Sequence, residues 1–466
     1  MARYTIRRRA LTTATFCAFI PLASPPASAG GFQITENCAK CQGHRNAGMA
    51  ADTDAPGAGY FNPAAVSRVA GTQFDLSAHG IFGQFQFQDE GSTNAFGRPQ
   101  RGARLVDGAE DAYVPNLHVT HQLGERFGVG LQLAAPYGLA TDYRGNWTGR
   151  YHALRSELVL INANLNLAWN VTDRWSVGAG LAYQSAEAEL SNALDFGAVA
   201  RVVLPELSPV PIPPDLLPDS GDAALDGNSR LEGDDSDWGW TAGILYTGES
   251  TRIGVGYRSE IEHEIAGTVT VTVPGPLQDA LGFDRRVTRG TARVSTPASF
   301  TLGVQQDLNP EWTVMFGTTW TDWSVFDALI VEDSEGNILS NQPEEWEDSW
   351  RYSVGFEYRY APNVTLRMGA EYDETPVPGE RLTARIPDED RYWLSAGATW
   401  QLSERVFMDF AWTHIWVPDY EINEEELSTG GLLEQATGTN PGAGNTLVGS
   451  FDAKANVLSL GFRMAW

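Results

Sequence analysis

Long hydrophobic runs are missing from this chain of 466 residues. No stretch approaches the roughly 18 to 20 continuous apolar residues of a membrane helix, so a helical membrane protein is excluded. Positive charge is also scarce: 32 Lys and Arg face 59 Asp and Glu, and the formal net charge is −27. We therefore expect no nucleic-acid partner, because phosphate binding needs clustered Lys and Arg. The acid is interpreted as solvated loop surface, with a specific cation site as the alternative.

Cysteine occurs three times, and Cys17 lies in a segment that we expect to be removed. Cys38 and Cys41 form Cys-Ala-Lys-Cys, which in an oxidising periplasm favours a local disulfide. His44 would add a third metal ligand, but zinc needs a fourth. Haem attachment requires His directly after the second Cys, where Gln42 stands. We expect no metal and no cofactor.

Catalytic signatures are equally scarce. The Gly-x-Ser-x-Gly elbow is absent. His118 and His121 resemble a ligand pair, but their odd separation places them on opposite faces of a strand. The chain is therefore expected not to be an enzyme, although an enzymatic barrel remains an alternative.

Residues 1–29 have the features of a secretory signal peptide. Arg3 and the three arginines at 7–9 precede a mostly apolar stretch at 10–22, and Ala27-Ser28-Ala29 provides a cleavage site. The mature chain is expected to begin near Gly30, and loss of four arginines takes the net charge from −27 to −31. The adjacent arginines also suggest a twin-arginine signal, but general secretion is favoured because barrels cross the inner membrane unfolded.

Apolar and polar residues alternate without interruption from 350 to 360. Successive strand side chains point to opposite faces, so such a strand needs an apolar environment on one side and water on the other. In a secreted chain with many such strands, the simplest arrangement is a closed barrel in a bilayer. The 48 Gly, 15 Trp, 15 Tyr and 20 Phe suit a barrel with aromatic girdles. The predicted class is all-β, a transmembrane antiparallel β-barrel of about 14 strands.

Fourteen segments have alternating or β-rich character, the even number expected of a single-chain bacterial barrel. The segments run approximately over 72–88, 110–122, 125–136, 155–170, 174–188, 235–247, 251–273, 287–306, 311–331, 347–360, 363–374, 390–402, 405–418 and 452–466. Short connections predict periplasmic turns and long ones extracellular loops. The long connections are 89–109, 137–154, 189–234, 274–286, 332–346, 375–389 and 419–451.

Residues 30–71 do not alternate and are rich in small side chains. Since the lumen of such a barrel can accept a compact segment, we interpret 30–71 as an N-terminal hatch inside the lumen. Residues 72–466 are then the barrel with its extracellular loops.

The chain resembles the FadL-type outer-membrane transporters of long-chain fatty acids and other hydrophobic compounds. The resemblance rests on the order of several motifs along nearly the whole mature chain. They are Gly31-Phe32-Gln33-Ile34, Ala47-Gly48 with Ala50-Ala51, Phe61-Asn62-Pro63-Ala64, Trp320-Thr321-Asp322-Trp323-Ser324-Val325-Phe326, and the stretch from Trp350 through Tyr372-Asp373-Glu374-Thr375-Pro376-Val377-Pro378 to Pro387-Asp388-Glu389-Asp390-Arg391-Tyr392-Trp393-Leu394-Ser395. The cysteine pair departs from the small residues usual at this place in the hatch.

The resemblance implies capture of solute among the extracellular loops and a site near the hatch N-terminus, where Phe32 stands. Exit is expected sideways, through a gap beside a kinked third strand. Asn62, Pro63 and Ala64 would belong to the hatch element that faces the gap; an ordinary turn before the first strand is the alternative. Gly128 and Gly130 offer places for the kink.

Two apolar loops supply candidates for the outer groove: Leu204, Leu207, Ile212, Leu216 and Leu217 in one, and Leu277, Leu281 and Phe283 in the other. Packing of these side chains among themselves is the competing interpretation. Arg351, Arg359 and Arg367 point inward by strand parity, where they would meet a solute carboxylate or pair with Glu357, Glu371 and Asp373.

The hypothesis is passive uptake of long-chain fatty acids or aromatic hydrocarbons across a Gram-negative outer membrane. A non-specific porin is the alternative, and an open lumen would conduct ions where a hatch would not. Expected partners are the hydrophobic solute, outer-membrane lipid and lipopolysaccharide, and the barrel-assembly machinery, which would read the aromatic end at Trp466. A monomer is expected.

Overall fold

A closed ring of antiparallel strands forms the body of the protein. The computed structural model describes residues 30–426 and 444–466, so the predicted signal peptide lies outside the described residues. The strands are β1 Thr72–Asp89, β2 Leu105–Asp107, β3 Ala112–Leu123, β4 Phe127–Asp142, β5 Arg155–Asn170, β6 Trp175–Asp195, β7 Asp226–Thr247, β8 Thr251–Arg258, β9 Ile261–Thr272, β10 Arg285–Thr296, β11 Ser299–Asp307, β12 Trp312–Thr321, β13 Ala328–Asp333, β14 Ile338–Pro343, β15 Ser349–Ala361, β16 Val364–Asp373, β17 Arg391–Ser403, β18 Val406–Trp416, β19 Tyr420–Glu425 and β20 Thr446–Ala465.

These strands build a barrel of 14 staves. The first stave, β1, pairs with β3 on one side and with β20 on the other, which closes the ring. Three staves consist of two strands each, β8 with β9, β10 with β11, and β18 with β19, while β2, β13 and β14 are short additions above the ring. Closure gives every stave a paired neighbour on both sides, as a barrel in lipid requires. The predicted fold class is confirmed.

The two faces of the wall have the predicted chemistry. Trp350, Tyr352 and Val354 are exposed on the outside. Asn162 and Asn164 are buried on the inside of β5. Alternation therefore places apolar side chains outward and polar ones in the lumen.

The helices are few and short: α1 Ala39–Gly43, α2 Ala58–Phe61, α3 Phe196–Leu207 and α4 Gly275–Leu281. Asp195 caps α3, since its carboxylate accepts a hydrogen bond of 2.8 Å from the Ala198 amide. In the described part of the chain, no helix is long and apolar enough to cross a membrane.

Several predicted boundaries were wrong at the loop end, by which we mean the end of the barrel that carries the long connections. The predicted strand 311–331 is broken after Thr321 by a 3₁₀ turn at Trp323–Val325, and β13 and β14 form a separate hairpin. The predicted loop 189–234 shrinks to 196–225, because β6 and β7 pair as far as Asp195 and Asp226. Acidic residues in these extensions hid them from a hydrophobic pattern.

Residues 30–71, here called the N-terminal segment, lie inside the ring. Their contacts reach staves all around the barrel: the Ala39 amide donates to Ser77 in β1, Gln42 donates to Thr413 in β18, and Gln305 in β11 donates to the Gly48 carbonyl. Most of the segment is buried. It therefore obstructs the lumen rather than lining it.

Close approach between the segment and the wall depends on glycine. A Cβ built on Gly254 of β8 would collide with the carbonyl oxygen of Ala50, and one on Gly369 of β16 would collide with the backbone of His44. Only glycine lets two backbones come this near. The lumen is thus fitted to the segment on its tight-turn end, the end where short connections join the staves.

Candidate functional site

A window interrupts the wall between β3 and β4. Among the described residues, the ladder joining these strands covers Leu117–Leu123 and Phe127–Leu133, and above it β4 pairs with β5 alone. A single bridge between Ala109 and Thr141 closes the top of the window. Over about 110–116 of β3's stave and 134–140 of β4, the two neighbouring staves are therefore not paired with each other.

A kink in β4 opens this window. The register with β5 shifts between Ala134 and Tyr137, and Pro136 in this stretch has no N–H to donate. The kink was predicted at Gly128 and Gly130, and that placement was wrong. These two glycines instead make room for the N-terminal segment, since a Cβ at either would strike Val66.

The beginning of the N-terminal segment occupies the inner side of the window. The amide of Ile34 donates to the Pro136 carbonyl at 2.8 Å, and the amide of Gly138 donates to the Phe32 carbonyl at 2.8 Å. Residues 32–34 thereby act as a short strand paired to the kinked part of β4. The segment that reaches the window is thus its first few residues.

Asn62, Pro63 and Ala64 lie elsewhere, against β6 and β7. A Cβ at Gly178 would strike Ala64, and one at Gly243 would strike the Asn62 amide group. Asn62 accepts from the Ala64 amide at 3.0 Å and donates to the Ala50 carbonyl at 2.7 Å, so it shapes the segment internally. The expectation that these three residues face the gap was wrong.

Phe32 lies in a cage of aromatic rings just inside the window. Its ring centroid is 4.8 Å from that of Trp323, 5.7 Å from those of Phe326 and Trp346, and 5.9 Å from that of Tyr137. All five side chains are buried. Edge-to-face contacts of this kind add to the free energy of apolar burial. A cage of aromatic carbon is a suitable environment for an alkyl chain or an aromatic solute.

Sequence reasoning named Phe32 but missed the four rings around it. One signal was available: Trp320 and Trp323 are three residues apart, so strand parity already places them on opposite faces. Trp320 pairs within the ladder, whereas Trp323 turns into the lumen after β12 ends. Trp346 and Phe326 meet Trp323 through loop geometry that no periodicity reveals.

Buried charges hold the segment's first residues. The Gly30 and Gly31 amides donate to the carboxylates of Asp373 and Asp388, each at 3.0 Å. Arg45 donates to Glu371 at 2.9 Å and stacks on Trp393 with its guanidinium carbon 3.7 Å from the ring centre. Charge-assisted and stacked arginine contacts are directional, so they fix the segment's orientation.

The three predicted lumen arginines have different surroundings. Arg351 lies 3.9 Å from Glu371 and donates to Gln33, so it contacts the N-terminal segment. Arg367 pairs with Glu357 at 2.8 Å near the tight-turn end. Arg359 is exposed and donates to the Pro310 carbonyl in a turn. Only Arg351 is near the window residues.

Cys38 and Cys41 are joined by a disulfide across the first turn of α1, with their Cα atoms 5.0 Å apart. His44 lies three residues after Cys41, directly after the end of α1, and is fully buried. Its two ring nitrogens have no hydrogen-bond partner among the described residues. Burial, reinforced by the positive charges of Arg367 and Lys40, lowers the pKa of His44 to about 4. His44 is therefore neutral at pH 7.

The two apolar loops meet above the barrel. Leu204 of α3 and Leu277 of α4 belong to one cluster with Phe196, Val199 and Val273. Leu216 and Phe283 are exposed, and Ile212 and Leu217 are half-buried. The side chains of Leu207 and Leu281 lie outside the described set. The loops thus pack on each other and still present apolar surface to solvent.

The chain matches the family model described as outer membrane protein transport protein (OMPP1/FadL/TodX) over residues 20–466. The long-chain fatty acid transport protein of Escherichia coli O6:H1 is 29% identical over 415 residues, covering 85% of this chain and 89% of that protein. A Pseudomonas aeruginosa FadL homologue of known structure has a TM-score of 0.81 at 22% identity, covering 93% of this chain and 99% of the other.

The Ralstonia pickettii toluene transporter TbuX has a TM-score of 0.62 at 18% identity, covering 94% of this chain and 99% of the other. At these identities the two solved structures show a common fold. The family model, which spans nearly the whole chain, also shows the family. With its closed barrel, obstructed lumen and ordered motifs, the chain belongs to the FadL/TodX family of outer-membrane transport proteins.

Proposed function

We propose that the protein carries hydrophobic solutes passively across the outer membrane and releases them sideways through the window between β3 and β4. The observation that carries this proposal is the coincidence of three features. The ladder ends above Leu133, the kink lies at Pro136, and the buried ring of Phe32 stands directly inside. A solute leaving here would enter lipid without crossing the polar lumen below.

The energetics favour an apolar route. An alkyl chain gains roughly 0.8 kcal/mol per buried methylene. Passage straight down would take it past buried pairs such as Arg367–Glu357 and Lys40–Asp52, which offer no such gain. A lateral route exchanges one apolar environment for another, so no energy source is needed.

We infer a sequence of three positions for the solute. It first contacts apolar loop residues such as Leu216 and Phe283, which are exposed. It then displaces part of the aromatic packing around Phe32, and last it passes the paired residues 32–34 at the window. The segment's start is therefore the moving part, while Asn62 and the rest of the segment stay in place.

The substrate class is proposed from chemistry and from relatives. One relative is named for long-chain fatty acids and one structural neighbour for toluene. An aromatic cage suits both classes, so we propose long-chain fatty acids or aromatic hydrocarbons. No chemical transformation is part of the proposal.

The proposed setting is a single chain in contact with outer-membrane lipid and lipopolysaccharide. The exposed aromatic and aliphatic side chains on the outer wall support this setting. The aromatic side chain of Trp466, directly after β20, supports recognition by the barrel-assembly machinery.

Uptake of labelled oleate and labelled toluene by cells that produce the protein tests the proposal. Deletion of Ala135 and Pro136 would let β4 continue without its kink, and uptake should fall severalfold. Deletion of Ser334 and Glu335, at the exposed tip between β13 and β14, is the matched control and should leave uptake unchanged.

Heat-modifiable migration in a denaturing gel checks that each variant folds. Wild-type cells that take up neither compound would overturn the transport proposal for these substrates. Normal uptake by a folded Ala135–Pro136 deletion would overturn the lateral exit alone. Large channels of the wild-type protein in planar bilayers would favour a porin.

A further inference from the structure

Three arginines converge on one carboxylate among the extracellular loops. Arg101 lies 3.1 Å from Asp219, and Arg98 and Arg201 each lie 3.8 Å from it. We call these four residues the arginine cluster. Arg104, in the same connection as Arg98 and Arg101, pairs instead with Asp89 at 2.7 Å. Within 4 Å, three guanidiniums therefore share a single carboxylate.

The protein as a whole has a formal net charge of −27. Such a protein repels dissolved anions over most of its surface, and a local positive site concentrates them. Each guanidinium carries five N–H donors, far more than a single carboxylate can occupy. Arg98 and Arg101 are also well exposed, with 63% of each side chain accessible, so their free donors face solvent.

The cluster is built by loops that are tied together. Asn94 donates to the Ser220 carbonyl at 3.1 Å, which links the connection after β1 to the connection after α3. Arg201 on α3 donates to the carbonyls of Pro218 and Pro214 at 3.0 and 3.4 Å. Arg201 therefore has a structural role, because its hydrogen bonds hold the connection after α3. Arg98 and Arg101 are available to a ligand.

Exposed apolar surface begins at the cluster. The guanidinium of Arg201 lies 5.7 Å from the ring centre of Phe96, which is itself exposed. Leu216, two residues beyond the clamped Pro214, has 72% of its surface accessible. Positive charge thus adjoins apolar side chains, the arrangement that fits an amphipathic molecule with an anionic head.

We propose that Arg98 and Arg101 bind the carboxylate head of a long-chain solute while its chain lies on the apolar loop surface next to Phe96. The inference rests on the proposed transport function and narrows its substrate class. It makes ionised fatty acids, rather than neutral hydrocarbons, the solutes that the loops capture first. Asp219 tunes the site, because its single charge holds the arginines together and limits their attraction for a second carboxylate.

Binding of laurate and of its neutral counterpart 1-dodecanol to the full chain in lipid nanodiscs tests the inference. The wild type should bind laurate about fivefold more tightly than dodecanol, the scale of one or two exposed ion pairs. R98Q/R101Q should abolish this preference and leave dodecanol binding unchanged. D219N should raise the preference, and higher salt should reduce it.

R104Q is the matched control, since Arg104 is an equally exposed arginine in the same connection but pairs with Asp89. It should keep the wild-type preference. If folded R98Q/R101Q and D219N both retain that preference, the inference is overturned. An equal loss of laurate and dodecanol binding in R98Q/R101Q would also overturn it, because a charge site should not affect the alcohol.

The outcome is separable from that of the transport proposal. Wild-type cells that import oleate while the cluster variants keep the wild-type laurate preference would leave transport standing and remove the arginine cluster from it. Wild-type cells that import neither oleate nor toluene would overturn transport, whatever the binding measurements show.

Discussion

The two ends of the lumen hold the N-terminal segment in different ways. At the tight-turn end, ion pairs such as Lys40–Asp52 and Arg463–Asp409 and glycine-mediated contacts surround it. At the loop end, Phe32 is enclosed by aromatic rings and residues 32–34 share hydrogen bonds with a kinked strand. The tight-turn end is directional and closely fitted. At the loop end, apolar burial around Phe32 is joined by the hydrogen bonds from the Gly30 and Gly31 amides to Asp373 and Asp388.

This difference has a physical consequence for gating. Apolar packing is non-directional, so an apolar solute can replace Phe32 contacts at little net loss of free energy. A buried ion pair offers no such exchange, because removing one partner leaves a charge unpaired. Under the proposed lateral exit, the aromatic end is therefore the part that a hydrophobic solute would open. The polar end would keep the rest of the segment in place.

The largest expected effect belongs to the aromatic end. Phe32→Ala should lower the free energy of unfolding by about 3–5 kcal/mol, because it empties a buried aromatic site. Leu339→Ala, at an exposed position, should change it by less than about 0.5 kcal/mol. Denaturant unfolding of both variants checks this. An effect of Phe32→Ala no larger than that of the control would contradict the burial of this ring.

A smaller effect is expected from a collision at the polar end. Gly254→Ala places a Cβ against the Ala50 carbonyl and should cost about 1–3 kcal/mol of stability as the segment shifts. Ion conductance in planar bilayers should rise. Gly275→Ala is the matched control, since a Cβ there meets open space. Equal conductance of the two variants would show that the segment does not fit the wall as closely as described.

An effect similar in size to that of Gly254→Ala is expected from a change of pH. The folded-state pKa of His44 lies at about 4, below its ordinary value of 6.5, so neutral His44 contributes stability above pH 6.5 that is lost as pH falls toward 4. At pH 5 the loss should be about 2 kcal/mol. Protease release of residues 30–71 should therefore increase on acidification in the wild type.

The variant His44→Gln isolates this contribution. It removes the titration and should flatten the pH dependence between 6.5 and 4. The comparison with wild type is needed because burial also raises the pKa of Glu36. The stability contributed by Glu36 therefore changes with pH in the opposite direction to that contributed by His44, and it remains in the variant. The same pH dependence in both proteins would exclude His44 as its source.

The strand faces were predictable because alternation is local. Asn162 and Asn164 point inward and Trp350 points outward for a reason contained in the strand itself. The kink was not predictable from Gly128 and Gly130. These glycines are needed because Val66, a residue far away in sequence, packs against them. A glycine in a strand indicates that another group packs closely there, but the sequence does not identify that group. Likewise, the cage around Phe32 joins residues from three parts of the chain.

The anchoring of Gly30 has a consequence for how the protein is made. Its amide bonds to Asp373, 343 residues further along the chain, and the amide of Gly31 bonds to Asp388. Gly30 and Gly31 are synthesised early, whereas their partners are synthesised hundreds of residues later. Contacts of such high sequence separation slow folding. The bonds of Gly30 and Gly31 are therefore among the contacts that can form only after nearly the whole chain has been made.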